Sequence, residues 1–120
     1  MVEKIVRLTL NMTVSPEQMD AFKSLALSMT EGTKSEPGTL GYEWFVSDDS
    51  KRFRLVETYE DAAAIEAHFM GSVVQQLVPK LAEVCTVDGI EVYGDPGPVV
   101  TGMVAASSST IFKYWTGIGR

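Results

Sequence analysis

Two runs rich in aromatic and β-branched residues, Thr39–Ser47 and Arg52–Tyr59, are separated only by Asp48-Asp49-Ser50-Lys51. Segments of that kind, so close together, pair as a β-hairpin. Whether all four intervening residues turn or only the inner two, the register is the same. It sets Leu40 against Tyr59, Tyr42 against Glu57, Trp44 against Leu55 and Val46 against Phe53. Those residues share one face, apolar and aromatic except for Glu57. Desolvation there disfavours the charged carboxylate and raises its pKa unless a cation or a donor answers it. The opposite face carries Gly41, Glu43, Phe45, Ser47, Arg52, Arg54, Val56 and Thr58, a mixture that suits solvent or a partner better than a core.

The flanking segments set the fold class. Lys4–Val14 alternates, with Val6, Leu8, Leu10 and Met12 on one parity and Arg7, Thr9, Asn11 and Thr13 on the other, which is the pattern of a half-buried strand. Asn11 thereby falls on the sheet surface. Ser15-Pro16-Glu17-Gln18 reads as a capping box with proline in the first helical position, and Met19, Phe22, Leu25, Ala26 and Met29 give the following helix one apolar stripe. That helix is expected to run to about Glu31, with Gly32 as its stop. After the turn-forming Lys34-Ser35-Glu36-Pro37-Gly38 and the hairpin, Asp61 caps a second helix through Ala62, Ile65 and Phe69. It breaks at Gly71 and resumes from Ser72, with Pro79 predicting a kink or an early end. Thr86–Gly94 is the fourth strand.

Strand, helix, strand, strand, helix, strand is the split βαβ arrangement: an α+β, ferredoxin-like βαββαβ domain. A four-stranded antiparallel sheet then carries both helices on one face and leaves the other bare. Residues 1–94 form this domain, and 95–120 are an extension expected to pack on it or on a dimer partner. Within the extension Val99–Ala106 suits a short helix and Ile111–Ile118 an extended segment. Phe112, Tyr114 and Trp115 are too apolar to stand in water without reason.

At 120 residues there is room for one domain, and composition excludes several kinds of chemistry. With 10 Lys and Arg against 16 Asp and Glu, no basic stripe is available to neutralise phosphates, so no nucleic-acid partner is expected. Cys85 is the only cysteine, which rules out an internal disulfide; without a nearby His or Lys it reads as an inert thiol. The N-terminal Met1-Val2-Glu3-Lys4-Ile5 alternates apolar with charged residues, and no stretch approaches a membrane span, so a cytoplasmic protein without membrane contact is expected. One histidine and one cysteine are too few for a transition-metal site. The glycine-rich nucleotide motifs and the hydrolase nucleophile elbow are also absent from the sequence.

The remaining chemistry concentrates on Glu57 and His68. A helix returning from the third strand across the sheet can bring His68 over Glu57. In an apolar pocket the two form a general acid–base pair, or else a satisfied buried contact tying helix to sheet. Tyr42, Trp44, Tyr59, Phe53, Phe69 and Phe22 are candidates either for an aromatic slot around a planar ligand or for ordinary core.

Glu36-Pro37-Gly38-Thr39-Leu40-Gly41-Tyr42-Glu43, Arg52–Asp61 and Ala64-Ile65-Glu66-Ala67-His68-Phe69 resemble the antibiotic biosynthesis monooxygenase family. The resemblance spans strand one to Gly94. It implies a dimeric α+β barrel, in which the bare sheet faces pack together as a homodimer and each subunit keeps a pocket between sheet and helices. It also implies cofactor-independent oxidation of a quinol, anthrone or similar small aromatic by molecular oxygen, without metal, flavin or haem. By matching position Glu57 and His68 would be the catalytic pair, and Trp44, Tyr42, Tyr59, Phe69 and Phe22 the substrate-binding walls. A non-catalytic dimeric binder of a small hydrophobic ligand, or an isomerase or lyase, would use the same pocket. The haem-degrading branch of the family departs from this chain: its first-strand Asn falls at Val6, its helical Trp at His68 and its haem-ligating His near Val78.

Overall fold

The computed structural model describes residues 4–119; Met1–Glu3 of the alternating N-terminus and Arg120 lie outside the described residues. The strands are β1 (Val6–Thr13), β2 (Thr39–Val46), β3 (Arg52–Tyr59), β4 (Thr86–Tyr93) and β5 (Ser109–Phe112), in the spatial order β2-β3-β1-β4-β5. The first four are antiparallel neighbours, the arrangement expected of a ferredoxin-like domain. The fifth, short and parallel to β4, lengthens the expected four-stranded sheet at one edge.

Alternation decides which side of the sheet is covered. Val6, Leu8, Leu10 and Met12 of β1 are buried with Phe53, Leu55 and Tyr59 of β3 and Val92 of β4. They meet Phe22, Ala26 and Met29 of α1 (Met19–Thr33), Ile65 of α2 (Ala62–Met70), Leu81 of α3 (Val78–Val84), and Val100 and Val104 of α4 (Gly97–Val104). The capping-box signal at Ser15 resolves differently from expectation. Pro16–Gln18 form a 3-10 turn, and the Ser15 hydroxyl donates to Gln18 Oε1 at 3.1 Å rather than capping a backbone N–H.

Gly32 does not stop α1, which continues to Thr33. A Cβ at Gly32 would stand 2.8 Å from Val73 Cγ2, so the glycine permits close contact with the segment after α2. That segment, Val73–Leu77, is a π-helical turn between α2 and α3. Pro79 does not end the helix: it stands in the first turn of α3, directly after the π-helical turn, and α3 continues to Val84.

The hairpin register matches the expected pairing at Tyr42–Glu57, Trp44–Leu55 and Val46–Phe53. It departs at Leu40, which a bulge between Thr39 and Gly41 turns outward, leaving Thr39 opposite Tyr59. Val46, beside the hairpin turn at the end of the sheet, is likewise exposed. No helix among the described residues is long and apolar enough to cross a membrane.

Candidate active site

Glu57 is the one acidic position in the inward row of β3, flanked along the strand by Leu55 and Tyr59 and across it by Leu8 and Tyr42. It is 5% exposed. His68 projects from the last turn of α2 and is buried to a similar degree. Asp61 sets that helix by accepting the Ala64 N–H at 2.9 Å. The imidazole Nε2 lies 3.8 Å from Glu57 Oε1, close enough for strong electrostatic coupling and too far for a hydrogen bond. The Tyr59 hydroxyl donates to the same Glu57 oxygen.

The other ring nitrogen has a partner absent from the candidates drawn from the sequence. His68 Nδ1 and Glu36 Oε1 are 2.7 Å apart. Glu36 sits in the turn between α1 and β2, where its N–H reaches Thr33 O at 3.0 Å and its carboxylate accepts the Thr39 hydroxyl at 3.0 Å. Gly38 brings the turn against α2. A Cβ there would come within 2.6 Å of Ala64 Cβ, and Ala64 precedes His68 by about one helical turn. An acid held ahead of a proline in a tight turn was the available signal for Glu36; the contact spans 32 residues of sequence.

Burial dominates the electrostatics. It raises the Glu57 carboxyl above its ordinary range; the His68 charge and the Tyr59 hydrogen bond pull downward without overcoming it, and the Glu36 charge pushes further up. Burial first, and then the charge of Glu57, pushes the Tyr42 and Tyr59 phenols well above their usual range, so both remain hydroxyl donors. A Thr33 hydrogen bond opposes the shift at Tyr42. The thiol of Cys85, whose Sγ donates to Leu81 O at 3.3 Å, is pushed up to about 11 by burial and by Asp88.

A cavity of about 90 Å³ opens beside this group, with Tyr42, Glu57, His68 and Phe69 on its wall among Leu8, Leu10, Leu55, Val74 and Val78. Of the aromatic side chains proposed as a slot, Tyr42 and Phe69 reach it. Tyr59 stands behind Glu57. Trp44 donates its indole N–H to Thr30 Oγ1 at 2.8 Å and meets Phe22 edge-on, while Phe22 packs on Phe53 in the core. A larger cleft of about 400 Å³ lies between α4 and the tail, lined by Asp95, Thr101, Lys113 and Tyr114 among others. Glu57, His68 and the Tyr42 phenol all line the smaller cavity, and placed chemistry outweighs volume in locating a reaction. A ring nitrogen at Nε2 with carboxyl and phenol groups beside it belongs to the group types that proton removal and oxyanion stabilisation use.

A model of the antibiotic biosynthesis monooxygenase family matches residues 5–80. The crystal structure of MupZ from Pseudomonas fluorescens is similar with a TM-score of 0.84 at 19% identity, covering 98% of this chain and 95% of that one, so the likeness includes α4 and β5. A conserved protein from Methanosarcina mazei gives a TM-score of 0.71 at 21% identity, over 78% of this chain and 94% of its own. Likeness at these identities is one of fold. An antibiotic biosynthesis monooxygenase crystal structure is 26% identical, with a TM-score of 0.65 over 78% of this chain and 99% of its own. An uncharacterized protein of Synechocystis is 27% identical over 71 residues, 58% of this chain. The chain spans about half, 48%, of the length of that curated relative.

Proposed function

The chain belongs to the antibiotic biosynthesis monooxygenase family, and from that premise we propose that it is a cofactor-independent monooxygenase acting on a small acidic aromatic such as a quinol. The observation that carries this reading is the apolar cavity with both His68 and Glu57 on its wall. His68 Nε2 takes a proton from the substrate's hydroxyl or activated carbon. The neutral Glu57 carboxyl and the Tyr42 phenol hold the oxygen on which negative charge develops. The substrate anion then supplies the electrons to molecular oxygen. With a quinol, one ring C–H becomes C–OH as the ring is oxidised to the hydroxyquinone, and with an anthrone-type CH2 the carbon becomes C=O; in either case the substrate gives up four electrons, one oxygen atom is retained and the other leaves as water.

Cavity size bounds the substrate. At about 90 Å³ it is smaller than the roughly 150 Å³ apolar cavity that accepts benzene. Even a single-ring quinol therefore needs the wall to move, and a naphthoquinol or a tricyclic anthrone needs it to move further. The wall's Val74 stands on the π-helical turn, an element frequent at functional sites. A homodimer through the bare sheet face forms part of the same proposal. That face presents Phe45 at 53% exposure and Tyr93 stacked on Phe112 with ring centroids 5.4 Å apart.

Oxygen uptake with hydroquinone and with a naphthoquinol tests the reading. His68→Ala and Glu57→Ala are each expected to lower kcat by about 10²–10⁴-fold; unchanged uptake in both variants refutes it. A second reading, isomerase or lyase chemistry, is favoured by the uncharged Glu57 beside the base, because such a pair moves protons without oxygen. Product formed under strict exclusion of oxygen selects that alternative. Saturable quenching of Trp44 fluorescence with no turnover selects a binder.

A further inference from the structure

We propose that Glu36 is the positioning residue that locks His68 in the tautomer carrying its proton on Nδ1, leaving the Nε2 lone pair free toward the cavity. The assignment rests on His68 being the base; Glu36 itself touches no reacting atom.

The two sides of the imidazole are unequal. On one, Glu36 Oε1 lies 2.7 Å from Nδ1, the distance of a charge-assisted hydrogen bond, and a carboxylate can only accept. On the other, Glu57 is 3.8 Å from Nε2 and already receives the Tyr59 hydroxyl. Burial also disfavours a charge on Glu57, whereas the Glu36 side chain, at 24% exposure, retains water contact. Both differences place the proton on Nδ1. The ring cannot easily turn over: Tyr42 and Tyr59 stand on it with centroids 5.6 and 5.5 Å away, and Phe69 closes a third side at 6.3 Å.

Glu36 is fixed as tightly as the ring it orients. The Thr39 hydroxyl donates to the same oxygen, and the Gly38 contact with Ala64 presses the turn onto α2. An acid that merely tied the turn to the helix would satisfy Nδ1 equally well in packing terms. It would not matter, however, which nitrogen bore the proton, and the test turns on that difference.

His68 is the only histidine, so the ring nitrogens of nitrogen-15-labelled protein give one unambiguous set of signals. In the wild type the neutral ring is expected to show a protonated Nδ1 and an unprotonated Nε2; the reverse overturns the proposal. In Glu36→Ala the ratio of the two tautomers should fall by about 10- to 100-fold, the worth of one hydrogen bond to a charged group. Added formate should restore it. Should Glu36→Ala fail to fold, Glu36→Gln keeps the shape while its amide can donate as well as accept, and a mixed tautomer is expected. An unaltered tautomer in either folded variant overturns the assignment. With a quinol that the wild type consumes, the same variants should lose kcat with little change in KM; an unchanged kcat despite a shifted tautomer also overturns it. If the tautomers behave as stated while neither quinol is consumed, the oxygenase reading falls and the Glu36 assignment stands.

Discussion

Glu57→Gln should change how stability depends on pH. In the unfolded chain the carboxyl ionises near its ordinary value of 4.5, whereas in the folded protein burial raises it. Above pH 4.5 the folded state therefore binds one proton more than the unfolded state, and the unfolding free energy falls as pH rises. The slope for one proton is a factor of ten in the folding constant per pH unit, about 1.4 kcal/mol. Stability from the neutral carboxyl is thus fully present below pH 4.5 and is lost as pH rises toward the folded-state value. Glutamine copies the shape of the protonated acid, can accept the Tyr59 hydroxyl and carries no titrating proton. The variant and the wild type should match in stability below pH 4.5, and the variant should gain by up to one such increment per pH unit from there until the folded-state value is passed. Urea titrations followed by tryptophan fluorescence measure this, with Trp44 as reporter because Trp115 is already 92% exposed. Protomer concentration must be held constant, since association adds to apparent stability. A difference that stays flat between pH 4.5 and 7 would show that Glu57 is ionised in the folded protein, and the neutral-donor argument would be lost.

Gly38→Ala forces a Cβ to within 2.6 Å of Ala64 Cβ and 3.3 Å of Glu60 Oε2, so it should destabilise by about 1–3 kcal/mol and lower Tm by several degrees. Because the displaced turn carries Glu36, the His68 tautomer ratio should shift in the same variant; an unchanged Tm refutes the close-approach argument. Phe22→Ala should cost about 3–5 kcal/mol in urea unfolding, because Phe22 is fully buried between Phe53 and Trp44. A change in KM without loss of stability would instead return Phe22 to the substrate wall.

The parts of the fold written in local pattern were legible in the sequence. Period-two alternation in β1 and the short turn after β2 were enough for the register from Tyr42–Glu57 to Val46–Phe53, and with it the inward direction of Glu57. What depended on contacts between distant segments was not. The bulge at Leu40 accompanies the docking of the Glu36–Gly38 turn on α2; its local mark, the in-strand glycine Gly41, does not by itself fix which residue turns outward. Gly32 was visible as a glycine, but its reason, Val73 at close range, lies on another element. The π-helical turn has the composition of ordinary helix. One extra residue in a single turn leaves no mark on a 3.6-residue period. Glu36 lies in a stretch whose composition indicates only a turn, since the histidine that gives it meaning is 32 positions away.

The same geometry bears on whether the buried pair is structure or chemistry. A Glu–His contact kept only to fasten a helix to a sheet would be expected to close into a hydrogen bond, because a buried ionisable group without one costs several kcal/mol. Here the fastening is done elsewhere. Tyr59 secures Glu57 from its own strand, and Glu36 secures His68 from the neighbouring turn. The facing atoms, Nε2 and Oε1, stay 3.8 Å apart with a cavity beside them. A leucine in place of Glu57 would fill the row of Leu8, Leu10 and Leu55 at less cost in desolvation. Each group is thus held from behind and left open toward the other, which is the geometry that the proposed proton transfer calls for.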